Sequence, residues 1–257
     1  MRFRNPPRRK QHASRGPDIL FCMRLLSYNI HKGIGGRDRR YDLDRIVRVI
    51  EHENTDLICL QEVTRDARRT RRDDQPQRLR DALGSAAAEF QMNVHYRRGG
   101  YGNLILSRWP IRERHRLSLR CGWRKPRGAQ LAAIDTPEGS LRLIHWHLGL
   151  GESERQEQSR RLLGHAWLQG PTPPTIVVGD SNDWRNRLAS AAFADHGFAH
   201  ATAPPSRFRS FPAFLPTLSL DKAYQKGLVI RECRMVRTPL TREASDHLPL
   251  AIDFHLR

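Results

Sequence analysis

Short apolar runs that stop at a polar residue recur along the chain. They are Met23-Arg24-Leu25-Leu26-Ser27-Tyr28-Asn29, Leu57-Ile58-Cys59-Leu60-Gln61-Glu62, Asn103-Leu104-Ile105-Leu106-Ser107, Leu141-Arg142-Leu143-Ile144-His145-Trp146-His147 and Ile176-Val177-Val178-Gly179-Asp180. Runs of this kind predict strands, and their polar ends predict side chains delivered to one rim. Between them, apolar residues fall at helical spacing. Leu43, Ile46, Val47 and Ile50 mark one helix; Leu79, Leu83, Ala86, Ala87 and Phe90, behind a Pro76 suited to a first turn, mark another. A third helix is expected to start at Ser153, whose hydroxyl can cap the turn while Gln156 reaches back, and to bury Leu162, Leu163, Ala166 and Trp167. Strands alternating with helices mean α/β layers. No repeat at motif level and no second-domain linker breaks the pattern.

A chain of 257 residues suits one folded domain, or at most two, and buries about 70–75% of its unfolded surface without needing disulfides or metal for a core. Its purely apolar stretches, such as Ile19-Leu20-Phe21-Cys22-Met23, fall far short of the roughly 20 residues that span a bilayer. Cys22, Cys59, Cys121 and Cys233 stand too far apart for a zinc site or a disulfide framework, which fits a reducing, cytoplasmic setting. Residues 1–22 carry six Lys/Arg, one Asp and three Pro with no hydrophobic period, and are expected to form a disordered tail ahead of a catalytic domain at 23–257. The apolar stretch after this basic start is broken by Arg24 and lacks a small-residue cleavage site, so it does not read as a signal peptide. The strand opening at Met23 suggests that translation begins there, which the mass of the native protein decides.

Charge changes the picture most. There are 45 basic residues, 40 of them arginine, against 27 acidic ones, giving a net charge of +18. Such a field attracts polyanions, whether nucleic acid or anionic lipid headgroups.

The polar residues at the predicted strand ends and turns, Asn29, Glu62, His147, Asp180, Asn182, Asp221, Asp246 and His247, form a metal and acid–base inventory. Hard cations such as Mg²⁺ take oxygen ligands and need only one or two carboxylates beside substrate phosphate. Glu62, ending an almost wholly apolar strand, is the first such ligand, and its burial implies a counter-charge nearby. In Gly179-Asp180-Ser181-Asn182-Asp183 a strand runs into a tight turn that points Asp180 and Asn182 at one spot. In Ser245-Asp246-His247, ahead of the apolar Leu248–Ile252 run, a carboxylate and an imidazole share a site; histidine is the commonest acid–base group near neutral pH.

Taken in order, Ser27-Tyr28-Asn29-Ile30, Leu60-Gln61-Glu62-Val63, Gly102-Asn103-Leu104-Ile105-Leu106-Ser107-Arg108, His147-Leu148, Gly179-Asp180-Ser181-Asn182 and Ser245-Asp246-His247 resemble the endonuclease/exonuclease/phosphatase superfamily from Leu25 to about Leu256. Asn29-Ile30-His31-Lys32-Gly33 and the stretch Phe211-Pro212, Pro216, Leu220-Asp221 are similar to its small bacterial members. The resemblance implies a four-layer α/β sandwich, with two mixed β-sheets packed face to face and flanked by helices. It implies Mg²⁺, with Mn²⁺ as a substitute, held by Glu62 with Asn29 and Asp246 in support. Asp180 and Asn182 would orient water and phosphate, His147 and His247 would donate hydrogen bonds and protons around phosphorus, and Asp221 would orient a histidine. Three positions depart from the family pattern: Ser181 replaces a common Phe, His145 a common Asn or Thr, and Lys222-Ala223-Tyr224 the usual continuation after Asp221. Alternation puts His145 on the same strand face as His147 and Trp146 on the other.

Arginines supply the substrate expectation. Arg65, Arg68, Arg69, Arg71 and Arg72 follow Glu62 in an expected loop beside the metal, where they hold flanking phosphates. Arg97-Arg98 and Arg124-Lys125-Pro126-Arg127 extend that surface, with Trp123 as a stacking face. Arg68, Arg69, Arg127 and Asn103 are the expected substrate contacts. The sequence therefore points to a Mg²⁺-dependent phosphodiester hydrolase, with nucleic acid as leading substrate. A phospholipid-headgroup or small-phosphoester hydrolase, including a phosphomonoesterase, uses the same centre. A noncatalytic polyanion-binding module is the reading of another class, and intact Glu62, Asp180, Asn182 and His247 weigh against it.

Overall fold

Successive side chains of a strand point to opposite faces, and here both faces of the central strands are apolar, so both need covering. In the computed structural model, which describes residues 22–169, 173–188 and 192–257, they are covered by two sheets and helices. The expected tail lies outside the described residues apart from Cys22. One six-stranded sheet is formed by β1 (Met23–Asn29), β2 (Leu57–Arg65), β3 (Ala87–His95), β4 (Gly100–Ser107), β11 (Leu228–Met235) and β12 (Leu250–Leu256), in the order β11-β12-β1-β2-β4-β3. The other, also of six strands, is formed by β5 (Ile111–Ser118), β6 (Gly128–Thr136), β7 (Gly139–His147), β8 (Thr175–Asp180), β9 (Ala199–His200) and β10 (Asp221–Lys226), in the order β5-β6-β7-β8-β10-β9. Both sheets are mixed: β1 with β2 and β7 with β8 run parallel, and the remaining pairs run antiparallel.

Three apolar layers hold the stack. Leu25, Leu57 and Ile105 of the first sheet meet Leu143, Ile176 and Ala223 of the second. The other face of the first sheet, through Leu26, Ile58 and Leu104, packs on α1 (Leu43–Glu53), α2 (Gln75–Leu83) and α4 (Pro239–Ala244). The other face of the second, through Ile144, Trp146 and Val177, takes Leu162 and Leu163 of α3 (Glu152–Leu163). This is the expected four-layer α/β sandwich.

Two helices differ from expectation. The second helix stops at Leu83, because Gly84 adopts a left-handed conformation (φ 59°) and its N–H closes onto the Arg80 and Asp81 carbonyls. Ala87 and Phe90, expected on that helix, belong to β3 and pair with Ser107 and Leu104 of β4. The capping box at Ser153 does not form either: α3 begins behind Gly151, and Ser153 lies inside a first turn whose Glu152 and Glu154 complement the helix dipole. Leu162 and Leu163 are buried as expected, but Ala166 is exposed and Trp167 half-buried in a separate 3-10 turn.

Parallel pairing decides where chemistry collects. Asn29 lies opposite Gln61 where the pairing of β1 with β2 ends, and His147 lies opposite Asp180 where β7 and β8 run out. Asp221 opens β10 in register with Asp180, and His247 precedes β12. One edge of the sandwich thus receives the polar ends of both sheets.

Candidate active site

Asp180 is the centre of this edge. Its Oδ2 accepts from Asn29 Nδ2 at 3.0 Å and lies 3.4 Å from His147 Nε2 and 3.8 Å from His247 Nε2. Its Oδ1 accepts the Asn182 backbone N–H at 3.0 Å, which shapes the turn after β8; Asn182 there has a left-handed φ of 50° and donates its amide to the Leu148 carbonyl at 2.9 Å. Burial pushes the Asp180 carboxyl up from its ordinary range, against the pull of His247. Burial also opposes charge on His247, yet Asp221, whose Oδ2 stands 2.9 Å from His247 Nδ1, together with Asp180 raises it well above the usual imidazole range. The two carboxylates that flank His247 thus favour its protonated form. His147 is driven the other way, by burial and then by the Arg127 guanidinium, whose Nη1 donates to His147 Nε2 at 2.8 Å. The surroundings push the two imidazoles in opposite directions, His247 toward its charged form and His147 toward its neutral one, a division of labour that suits acid–base work.

Glu62 reaches the edge through a break in strand register. β2 pairs Leu60 with Leu104 and Val63 with Gly102, so Gln61 and Glu62 together oppose Asn103 in a β-bulge, with Glu62 at φ 58°. Bulges of this kind re-aim a side chain. Gly102 suits the crowding, since a Cβ there would stand 1.8 Å from the Gln91 carbonyl oxygen. Burial raises the Glu62 carboxyl, but the Lys32 ammonium paired with it outweighs burial and leaves it below its ordinary range. That ammonium is the counter-charge the sequence required.

The surroundings of Glu62 fit a hard divalent cation. The carboxylate already carries a positive partner, and Asn103 Oδ1, buried across the bulge, has no hydrogen-bond partner. Asn29 and Asp246 both adjoin His31: its backbone N–H donates to Asn29 Oδ1 at 3.0 Å, and its Nδ1 lies 3.7 Å from Asp246 Oδ2. Among the described residues no group of three or more His, Cys, Asp and Glu side chains gathers to hold a metal. Glu62, Asp246 and the Asn103 amide oxygen offer the oxygen donors that hard divalent cations take.

The arginines divide. Arg127 is buried against His147 and its Nε has no hydrogen-bond partner. Arg68 and Arg69 sit exposed on a 3-10 turn and, with Lys32, Tyr96, Arg97 and Arg98, line a cavity of 940 Å³ beside the Lys32–Glu62 pair. Arg65 is turned to Asp74 (3.2 Å) and the Phe90 ring, and Arg71 to the Tyr41 ring. His145 does not reach the edge: fully buried, it accepts from Gln61 Nε2 at 2.6 Å and faces Gln130 Oε1 at 3.1 Å. Ser181 is buried and tied to the Leu220 carbonyl at 2.7 Å, so nothing is loose where a Phe is common. Lys222 is buried behind Asp221, donating to Ser219 Oγ at 2.9 Å and to Asn186. Two neighbours were not expected in their roles: Lys32 as the partner of Glu62, and Phe211, whose ring lies 5.0 Å from that of His247. The His31-Lys32-Gly33 turn directly after β1 is the sequence signal for the first.

The chain is similar to known proteins in sequence and in fold. The sequence model of the Endonuclease/Exonuclease/phosphatase family matches residues 26–247. Protein YbhP of Escherichia coli (strain K12) is 30% identical over 249 residues, spanning 92% of this chain and 97% of YbhP. Among solved structures, an endonuclease/exonuclease/phosphatase from Beutenbergia cavernae superposes with a TM-score of 0.75 at 22% identity, over 91% of this chain and 72% of its own. The mannosyl-6-phosphatase of Bacteroides thetaiotaomicron superposes with a TM-score of 0.69 at 15% identity, over 91% of this chain and 100% of its own. These two structures share the fold.

Proposed function

The chain belongs to the endonuclease/exonuclease/phosphatase family, whose members hydrolyse phosphoester bonds, and from that premise we propose that it is a divalent-metal-dependent phosphodiesterase. The observation that carries this reading is the convergence of Asn29, His147 and His247 on one oxygen of Asp180, with Asp221 behind His247. Asp180, held up by burial, orients water and takes its proton, helped by the turn through Asn182. Water adds in line to phosphorus, one ester P–O bond breaks, and the departing oxygen takes a proton from His247, leaving a phosphomonoester and an alcohol. Arg127, oriented by its hydrogen bond to the neutral His147, holds the non-bridging oxygens, and Asn103 supports them from across the bulge. Glu62, with Asn29 and Asp246, would hold Mg²⁺ or in its place Mn²⁺, which supplies Lewis-acid stabilisation of the charge developing on phosphate.

The substrate carries further negative charge. Arg68, Arg69 and Arg97 line the cavity next to Glu62 and take part in no ion pair among the described residues. Nucleic acid answers to that field, and so does an anionic lipid surface. Hydrolysis by the purified protein, with and without Mg²⁺, of bis(p-nitrophenyl) phosphate, single- and double-stranded DNA, RNA, phospholipid and inositol phosphates tests the reaction. Turnover that needs the metal and disappears in both Glu62→Ala and His247→Ala is expected. Salt-sensitive binding of polyanions with no turnover of any of them would leave a binding module instead.

A further inference from the structure

The large apolar side chains left exposed follow a pattern of their own. Among the described residues Trp123 is 100% exposed, Leu150 73%, Leu215 64%, and Trp184 and Phe214 each 50%. Every one lies in a connection at the edge that carries Asp180. Trp123 precedes Gly128, which pairs with His147; Leu150 follows His147; Trp184 follows Asn182; Phe214 and Leu215 lie between Phe211, which touches His247, and Asp221. The two less exposed members of the set, Tyr96 and Leu218, fall at the same edge. Among the described residues of the opposite edge, the connections around Asp56, Ser85, Arg108, Glu138 and Gly227 hold no exposed large apolar side chain. Single exposed leucines are ordinary on any protein, but the confinement of these seven apolar side chains to one edge, on five separate connections, is not.

The composition of these tips selects among polyanions. Bases stack on rings, and Trp123, Trp184 and Phe214 offer rings, but Leu150 and Leu215 have no face to stack and contribute only apolar surface. Aliphatic and aromatic tips interleaved with guanidinium groups are the composition that enters the boundary between lipid headgroups and acyl chains. The cations are in place. Arg124 and Lys125 stand with Leu150 around a cavity of 300 Å³ that reaches Arg127, and the Arg185 guanidinium lies 4.4 Å over the Trp184 ring. Arg68, Arg69 and Arg97 flank Tyr96.

We infer that the edge bearing the candidate site docks on an anionic lipid surface, with Trp123, Leu150, Trp184 and Leu215 entering its apolar layer while the arginines meet the phosphates, so that the diester hydrolysed is that of a lipid headgroup. The inference rests on the phosphodiesterase reading for the headgroup step, whereas the docking itself does not need it. Among the described residues no helix is long and apolar enough to cross a membrane, so the contact is one of loop tips.

The test sediments the full chain with vesicles of phosphatidylcholine alone and of phosphatidylcholine mixed with phosphatidylglycerol, and follows bis(p-nitrophenyl) phosphate hydrolysis as a soluble readout. The variant is Leu150→Ser with Leu215→Ser, neither residue being part of the reacting centre. Binding to the mixed vesicles and not to phosphatidylcholine alone is expected. Loss of two leucines from the apolar layer is expected to weaken it by about 10-fold or more, with soluble-diester turnover unchanged and release of phosphatidylglycerol headgroup reduced in step with binding. The inference is overturned if mixed vesicles are not bound, if the double variant binds them as well as the parent, or if the parent self-associates and the variant does not, which would make a second copy the occupant. Turnover confined to single-stranded DNA or RNA overturns it too, while leaving the phosphodiesterase reading intact. Vesicle binding with no hydrolysis of any diester sinks that reading and leaves the docking.

Discussion

At one end of the layer between the sheets, Leu25, Leu57, Leu143 and Ile176 pack on one another. Two or four residues further along the same strands, on the same inward face, stand Ser27, Gln61, His145 and Asp180. In the middle a polar chain is tied across both sheets: Gln61 donates to Ser27 Oγ at 3.2 Å and to His145, and Gln130 donates to the Glu89 carbonyl at 2.8 Å. At the far edge Asp221 Oδ1, Asn103 Oδ1 and Arg127 Nε are buried without hydrogen-bond partners, the state of groups that await a ligand. One scaffold thus passes from apolar packing, through polar groups tied from sheet to sheet, to the polar strand ends. Apolar packing is concentrated at the first end and the proposed chemistry at the last, and substitutions at the two ends are expected to separate stability from turnover.

The largest separation is expected from Asp180→Asn. It removes the charge faced by both imidazoles and lowers turnover on the order of 10³-fold, while the melting temperature holds or rises because a costly buried carboxylate is gone. A parallel drop in melting temperature and turnover would erase the distinction between the ends. Leu143→Ala reverses the pattern: a loss of about 2–5 kcal/mol in unfolding free energy, seen as a melting temperature lower by about 5–15 °C, with turnover per folded molecule retained. The middle of the layer is read through pH. Burial pulls the His145 imidazole down to about 3, against about 6.5 for an unfolded one. Below pH 6.5 the unfolded chain therefore takes up a proton that the folded chain refuses, and stability falls by up to about 1.4 kcal/mol per pH unit until about pH 3, with no change from this group above 6.5. His147, also driven down by burial, adds in the same direction. Denaturant titrations of the parent and His145→Gln across this range check it: the stability difference between them is expected to shift as pH falls and to stay constant above neutrality. The smallest effect is a control outside the layer. Asp42 accepts from the Asp44 and Arg45 N–H groups at the start of α1, and Asp42→Ala is expected to cost about 1 kcal/mol and leave turnover alone.

β1, β2, β4, β7 and β8 were legible because each is a short apolar run that ends in a polar residue, a pattern that local sequence carries; β5, largely exposed, carries no such run. Asn29, His147 and Asp180 were legible as strand ends, and the structure brings Asp221 and His247 beside them. The second helix was overread because Ala86, Ala87 and Phe90 keep an apolar period past Gly84, and periodicity does not report a left-handed turn. The bulge at Glu62 was not legible at all, since it is a misregister between β2 and β4 and exists only once they pair. Exposure of Leu150 and Leu215 likewise depends on what the rest of the fold leaves uncovered. The position of His145 followed from alternation, but its bonds to Gln61 and Gln130 come from two different sheets.

The pairing of β1 with β12 has a consequence for the order of assembly. β5 to β10 come from one continuous stretch and make up the second sheet on their own, whereas the first sheet joins strands from near the two extremes of the described chain, Leu25 against Ile252. Contacts between such distant residues form late and slowly. As the ribosome delivers the chain, His147, Asp180 and Asp221 emerge first, and His247 follows with the strand that closes the first sheet. Until that strand pairs with β1, the first sheet is not closed around His247, so the contacts of His247 with Asp221 and Asp180 wait on a long-range pairing.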